Sequence, residues 1–457
     1  MLYLKNQEAV IVVNNELVPK DLTKKYSQKE ILEIEKKYLA PAVGHYYEDP
    51  VLFVDGKGAI LKDSSGKEYI DLFAGICTTI TGYNHPRYVA TIQWQAEHLV
   101  YTSSLYSTIP YAVLVKQLAE IAPKGLSHSF IVNSGSEANE AALAMVRKYT
   151  GNPYIIACQR GYHGRTTLAR ELSSAGWRTF SEAHPSGVRF TPYGYCYRCH
   201  FGKEHPDCDM ECAHYLREVI RTQTNKAIAA FIAEPIQGVG GIVQPPAEYF
   251  QIVYEIVKEY NGVYISDEVQ TGFGRTGGKW WGIQHTGVSP DIITMAKGFG
   301  SGIPIGGFVS RPEIAANYTV TDAFATFGGN PLSCAAAVAV IEIIREENYL
   351  EKAAKLGALL KKNMEELKED HKIIGEVRGQ GMMLGIELVR DQSTKEPAFQ
   401  ELLTVMETCR EKGLLVGKGG LDNNVIRLQP PLEITEEQVS QASEIFDEAL
   451  TKAEKTM

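Results

Sequence analysis

From about residue 110 onward, short apolar runs alternate with longer stretches of helical periodicity, and this alternation sets the kind of fold the chain can adopt. The runs are SFIV (129–132), YIIAC (154–158), IAAFIAEP (228–235), VYISDEV (263–269), IITMAK (292–297) and IGGFVS (305–310). Between them, AEYFQIVYEIVKEY repeats Tyr249, Val253, Ile256, Val257 and Tyr260 at helical spacing. Apolar strands joined by helical crossovers predict a mostly parallel, doubly wound α/β sheet with helices on both faces. NPLSCAAAVAVIEIIREEN predicts a long helix with Pro331 near its start. Downstream, helices over 350–368, 398–412 and 436–454 with strands in MMLGIELV and NVIRLQ predict a smaller α+β domain. Upstream, SQKEILEIEKKYLA predicts a charged helix. VLFVDGKGAILKDSSGKEYIDL, broken by Gly, Asp and Ser turn signals, predicts a small antiparallel strand unit.

At 457 residues the chain exceeds what one hydrophobic core supports. Its 44% hydrophobic and 22% charged content is that of a soluble globular protein, and no apolar run approaches the ~18 residues of a membrane span. The first twenty residues lack the basic, apolar and small-residue regions of a signal peptide, so a cytoplasmic enzyme with no membrane partner is expected. A net charge of −9 argues against a nucleic-acid partner, whose phosphates require clustered Lys and Arg.

Three segments carry chemistry. In FIVNSGSEANEAALAMVRKY a strand ends at Asn133 and Ser134-Gly135-Ser136 turn into a helix, with Ser134 and Glu137 spaced as a capping box. Its unpaired N–H groups and the bare Gly135 suit a phosphate, and equally describe a plain capped helix. In VYISDEVQTGFGRTG, Asp267 and Glu268 end an apolar strand, where open α/β sheets place ligands. Such a pair binds a metal, caps a helix or faces a cationic ring nitrogen, and this short segment does not decide among them. In PDIITMAKGFGSGIPIGG, Lys297 ends an apolar strand before a glycine-rich turn. Desolvation there lowers an ammonium pKa and frees the amine as a nucleophile.

Together, SGSEANE, GYHGRT, AEPIQG, DEVQTGFGRTG, MAKGFGSG, TFGGNP and IRLQPPL resemble, in order, the signatures of the class III pyridoxal-phosphate aminotransferases. The resemblance implies the fold type I architecture of that cofactor class and a homodimer. It divides the chain into an amino-terminal segment 1–75 that joins the small domain, a large cofactor-binding domain 76–345, and a small domain 346–457. It also implies roles. Lys297 would carry pyridoxal 5′-phosphate and shuttle protons, and Asp267 would pair with the pyridine nitrogen. Val269 and Tyr162 would sandwich the ring, and Gln270 would bond its hydroxyl. Gly135 and Ser136 would hold the phosphate, joined by Thr326 from the neighbouring subunit. Glu234 and Gln237 would lie nearby as supports. Arg427 would clamp the substrate carboxylate, which a planar guanidinium does bidentately. Glu268 reads as a supporting or helix-start carboxylate and His163 as a satisfied loop histidine.

Two features depart from the family pattern. Relatives that use both 4-aminobutyrate and glutamate have a glutamate after EPIQG that gates the carboxylate arginine; here that position is Val239. With FAGICTTITGYNHP and FATFGGNPLSCAAAVAVIEIIREEN, this is most similar to the alanine–glyoxylate branch, which implies pyruvate or glyoxylate as partner oxoacid. The second departure is an insertion over 194–213, CYRCHFGKEHPDCDMEC. Its Cys196, Cys199, Cys208 and Cys212 read as a structural zinc site, reduced thiols or a disulfide. Rival functions on the same scaffold are a racemase or epimerase and an amino-alkyl phosphate lyase. A non-catalytic, zinc-stabilised interaction protein would leave Lys297, Asp267 and Arg427 without a role.

Overall fold

Strands whose every side chain must leave water can only sit inside a sheet covered on both faces, and five of the apolar runs do so. In the computed structural model, which describes residues 18–174 and 187–455, every residue of Ile155–Cys158, Ala230–Ala233, Val263–Asp267, Ile292–Met295 and Gly306–Ser310 is buried. In chain order the central strands are β1 (His128–Val132), β2 (Ile155–Cys158), β3 (Val188–Thr191), β4 (Ala230–Ala233), β5 (Val263–Asp267), β6 (Ile292–Met295) and β7 (Gly306–Ser310). They lie in the order β1-β7-β6-β5-β4-β2-β3. β3, β2, β4, β5 and β6 are mutually parallel, whereas β7 runs antiparallel to both β6 and β1. The sheet is therefore mostly parallel, as the alternation predicts, with one reversed strand and one further edge strand, β3.

Helices cover the sheet. α1 (Gly135–Thr150) buries Ala138, Ala142, Leu143, Met145 and Val146. α2 (Ala247–Glu259) buries Tyr249, Val253, Ile256 and Val257, while Tyr260 is its carboxyl cap and only half-buried. α3 (Pro331–Glu346) opens on Pro331 behind Asn330, whose side chain accepts from the amides of Leu332 and Ser333.

α4 (Tyr349–Asp370) leads into an antiparallel sheet of β8 (Ile374–Gln380), β9 (Met383–Asp391), β10 (Gly417–Gly419) and β11 (Val425–Leu428), in the order β8-β9-β11-β10. The strand Glu68–Asp71 pairs in parallel with Leu414–Leu415, so an early segment of chain is built into this late part. By contacts the chain divides into two compact units. One runs through Val54 and includes Lys62–Lys67; the other comprises Asp55–Leu61 and everything from Glu68. In the first unit, Gln28–Tyr38 forms the expected charged helix, opened by a capping box between Ser27 and Glu30.

α4 crosses the β8–β9 turn so closely that a Cβ on Gly357 would lie 2.3 Å from the carbonyl carbon of Gly381. Helix propensity alone favours alanine over glycine by about 1 kcal/mol. Backbone cannot yield as a side-chain tip does, so overpacking should prevail. Gly357→Ala is expected to destabilise the fold by ~1–3 kcal/mol in a denaturant titration; a more stable variant would show that the crossing relaxes.

Candidate active site

Parallel strands deliver their carboxyl ends to one edge, and the chemistry-bearing segments are the loops that leave it. They enclose a cavity of about 380 Å³ lined by Gly135, Ser136, Tyr162, Glu234, Asp267, Val269, Gln270 and Lys297, among others.

Asp267 ends β5 and is buried. Its Oδ2 accepts from His163 Nδ1 at 2.7 Å and from Asn139 Nδ2 at 2.9 Å, and its Oδ1 accepts from the Val269 amide at 3.1 Å. Burial opposes a charge on His163, but the hydrogen bond and negative charge of Asp267 outweigh it and raise the imidazole pKa. His163 is thus more than a loop histidine: it is the principal partner of the carboxylate. Neither His163 Nε2 nor Asn139 Oδ1 has a hydrogen-bond partner among the described residues.

Lys297 follows β6 with a φ of +51°, a left-handed conformation uncommon for a side-chain-bearing residue. Removal from water lowers its ammonium pKa. The charge of Arg427 adds to this, while Cys77, Asp267 and Glu234 oppose it.

At the start of α1, Ser134 accepts from the Glu137 amide at 3.2 Å. The Glu137 carboxylate does not complete the predicted box on Ser134; it accepts from the Asn133 amide at 2.7 Å. A Cβ on Gly135 would stand 3.1 Å from Val269 Cγ2, so this first turn stays open only as glycine. The Ser136 hydroxyl accepts from the Arg165 amide at 3.1 Å.

Glu234 joins two of the loops, accepting from the Tyr162 amide at 2.9 Å and the Gly238 amide at 2.8 Å. Burial raises its pKa. Gln237 reaches back to the Gln159 carbonyl at 2.8 Å. Glu268 is a helix-start carboxylate: it accepts from the Gly282 and Ile283 amides, each at 2.8 Å, where a short 3₁₀ turn begins.

Arg427 lies on β11, opposite Gly385 on β9 and Gly417 on β10, and its guanidinium stacks 5.3 Å from the Phe73 ring. One of its nitrogens donates to the side-chain oxygens of Gln270 and Gln429, both at 2.7 Å. Gln270, expected on a ring hydroxyl, is therefore also a partner of Arg427. Val239 is buried beside them, its carbonyl accepting from the Gly420 amide at 3.0 Å.

Thr326 is exposed and outside this cavity; its carbonyl accepts from the Tyr101 hydroxyl at 2.7 Å. The zinc reading of Cys196, Cys199, Cys208 and Cys212 is corrected. All four are free, they range from buried to exposed, and no group of three metal-ligating side chains is found among the described residues. Burial, helped by neighbouring thiols, raises the pKa of Cys196 and pushes that of Cys212 up to about 11.

Sequence reasoning missed Asn139 and a strained turn. Ala74, Gly75, Ile76 and Cys77 all have positive φ, and Thr78 then lines the cavity. Three side-chain-bearing residues in this conformation cost about 1–2 kcal/mol each. The flanking bonds from Cys77 N to Phe73 O and from Thr78 N to Ala74 O, both 2.8 Å, hold the turn.

These residues fit pyridoxal phosphate. A desolvated amine, a buried carboxylate aimed at the same cavity, an open helix amino terminus and a slot bounded by Val269 match its aldehyde, ring nitrogen, phosphate and flat ring.

Comparison with known proteins agrees. The family model described as aminotransferase class-III matches residues 43–450. Over 422 residues the chain is 41% identical to an alanine–glyoxylate aminotransferase 2 homologue, mitochondrial, of Arabidopsis thaliana, covering 92% of this chain and 87% of that protein. It is 37% identical to a leucine/methionine racemase of Thermococcus litoralis, covering 93% and 96%. A solved Bacillus anthracis aminotransferase superposes with a TM-score of 0.88 at 32% identity, covering 94% of this chain and all of that one. With its buried amine and carboxylate at one sheet edge, the chain belongs to the class III aminotransferases, enzymes that work with pyridoxal phosphate.

Proposed function

We propose that this enzyme transfers the amino group of an amino acid to a small monocarboxylate oxoacid, pyruvate or glyoxylate. The observation that carries the reading is Arg427, a buried guanidinium that bonds the side-chain oxygens of Gln270 and Gln429, Gln270 itself lining the Lys297 cavity, while the position after the EPIQG glycine is a buried valine, Val239. One guanidinium accommodates one carboxylate. A second carboxylate, as in 2-oxoglutarate, needs a cation of its own, and the valine supplies no gate for exchanging partners. The alanine–glyoxylate name of one relative supports this choice.

Bound pyridoxal phosphate supplies the electron sink that makes the substrate Cα–H acidic. Lys297, whose ammonium pKa is lowered by burial, is proposed to carry the cofactor and, once the substrate amine has displaced it, to move the proton between the substrate Cα and the cofactor carbon C4′. Asp267 is proposed to hold the proton on the ring nitrogen, with His163 and Asn139 fixing its orientation. Gly135 and Ser136 would offer backbone N–H groups to the phosphate, and Tyr162 and Val269 would flank the ring. Racemisation, the activity named for one relative, uses the same amine, so the reaction type must be measured directly.

Thr326 is proposed to act from a second copy of the chain in a homodimer. The adjacent Phe327 is exposed and packs against Tyr101, whose hydroxyl reaches the Thr326 carbonyl, and the segment after Tyr101 exposes Leu105, Tyr106 and Ile109 as well. A patch of this kind marks an interface. Light scattering should give twice the chain mass, and a monomer that retains full activity would contradict the proposal.

Lys297→Ala should abolish turnover and covalent retention of the cofactor. Asp267→Asn should retain bound cofactor and lose activity by about two orders of magnitude, the scale for removing one preorganised charge. A near-normal rate in either variant would remove that residue from the mechanism.

With one common donor, kcat/KM for pyruvate or glyoxylate is expected to exceed that for 2-oxoglutarate by at least about tenfold, ~1.4 kcal/mol of transition-state preference. Equal use of 2-oxoglutarate would mean that another residue has replaced the missing gate. Following the donor's configuration without oxoacid separates the rival: steady loss of enantiomeric purity there would establish racemisation.

A further inference from the structure

We infer that Tyr195, the first buried side chain of the cysteine-rich insertion, is a positioning residue for the carboxylate pocket. This inference rests on the aminotransferase reading and adds a function for the insertion.

The insertion leaves edge strand β3 and reaches Tyr195 just before the 3₁₀ turn Cys196–Arg198. Tyr195 is 7% exposed, and its ring lies between two guanidinium groups, 5.2 Å from that of Arg160 and 5.0 Å from that of Arg378. Stacking of this kind is stronger where water is excluded. Its hydroxyl donates to Glu387 on β9, whose other carboxylate oxygen accepts from Arg198 at 2.5 Å. Arg378 on β8 completes the group, donating to Glu387 at 2.7 Å and Glu376 at 2.6 Å. The two buried members of the group, Arg378 and Glu387, balance each other's charge, and the partly buried Arg198 and Glu376 add one charge of each sign around them. Burial works against the charge on Glu387, but Arg378, Tyr195 and Arg198 together hold its pKa below the ordinary range.

Both arginines that touch the Tyr195 ring lead to the active-site loops. Arg378 spends its remaining donors on one acceptor, the Gly241 carbonyl, at 3.0 and 2.6 Å. Gly241 belongs to the tight loop closed by the mutual Gln237–Val243 backbone bonds, and Val239 is in that loop. The loop's glycines pack closely against Gln270 and the Arg160 backbone. A Cβ on Gly238 would overlap the Gln270 amide at 2.2 Å, and one on Gly240 would lie 2.7 Å from the Arg160 carbonyl. Gln270 in turn holds Arg427. Arg160 directly precedes Gly161-Tyr162-His163, the loop that reaches Asp267. Displacing the Tyr195 ring therefore releases Arg378 and, through Gly241, the wall against which Gln270 orients Arg427. Neither Asp267 nor Lys297 hydrogen-bonds Arg378, Gly241 or the Gln270 side chain among the described residues, so the effect should fall mainly on carboxylate binding.

The test uses full-length, cofactor-loaded enzyme and three variants, Tyr195→Phe, Tyr195→Leu and Arg378→Lys. KM and kcat are measured with the amino donor the parent uses, and propionate, an unreactive carboxylate, is titrated by calorimetry. In Tyr195→Leu, KM and the propionate Kd should rise together by at least about fivefold while kcat stays within about twofold. Tyr195→Phe, which keeps the ring, should fall between parent and Leu. Arg378→Lys should resemble Leu, because an ammonium cannot span Glu387 and the Gly241 carbonyl. Unchanged KM and propionate affinity in Tyr195→Leu, or a lowered Tm with no change in either, would overturn the inference and leave Tyr195 as ordinary packing. If Tyr195→Leu does not fold, Tyr195→Phe decides: a rise in propionate Kd of at least about twofold supports the inference, and parent affinity overturns it. A parent that binds propionate but transfers no amino group would refute the aminotransferase reading separately.

Discussion

The arrangement depends first on a carboxylate placed where a carboxylate is expensive. Asp267 ends a strand whose other residues are all apolar or small and fully buried. An unpaired charge there costs several kcal/mol. The donors that offset it come from three places: the turn after β5, the helix α1 and the loop after β2. Each is drawn to the same point, so pairing one charge also fixes the helix α1 near its start and the loop bearing Tyr162. Asn139 strengthens the closure by donating to the His163 carbonyl at 2.8 Å as well.

Around this centre the loops are secured at close quarters by groups that take no direct part in chemistry. Glu234 binds the amides of both Tyr162 and Gly238, and Glu268 anchors the segment after Asp267 to the amides of Gly282 and Ile283. Both carboxyls are buried and have raised pKa values, yet each is satisfied by backbone donors, which is how polar groups survive burial. The catalytic edge is thus held from behind, and its front remains open to a ligand.

The sheet was legible in the sequence because burial on both faces leaves continuous apolar runs, and its carboxyl edge followed from the parallel order. The reversal of β7 was not legible, since strand direction depends on the path of the glycine-rich connection Gly298–Pro304 and not on the composition of IGGFVS. Val188–Thr191 escaped because an edge strand with Arg189 lacks such a run. Lys297, Asp267 and Arg427 stood out as charges among apolar neighbours. His163 did not, because its partner is 104 residues away. Asn139 was hidden by helical periodicity, although it is a polar residue on the face that buries Ala138, Ala142 and Leu143. Cysteine spacing suggested a metal, yet no three ligands are found in metal-binding arrangement among the described residues, since spacing limits reach but does not aim side chains.

Aminotransferases and a racemase share this scaffold at similar identity to the chain, so the buried charges alone do not select the outcome. What remains to differ is the pocket wall, and here Arg427 has a double position. Its positive charge is among the influences that lower the Lys297 ammonium pKa. On the proposed function, a substrate carboxylate that docks on Arg427 neutralises part of that field. The Lys297 amine then becomes more basic as the substrate arrives, when it must accept the Cα proton. An acidic side chain at the Val239 position would screen Arg427 before any substrate bound and would weaken this coupling. Valine brings no charge of its own to that position, so on the proposed function the residue that departs from the gated pattern leaves recognition of a carboxylate linked to readiness of the base.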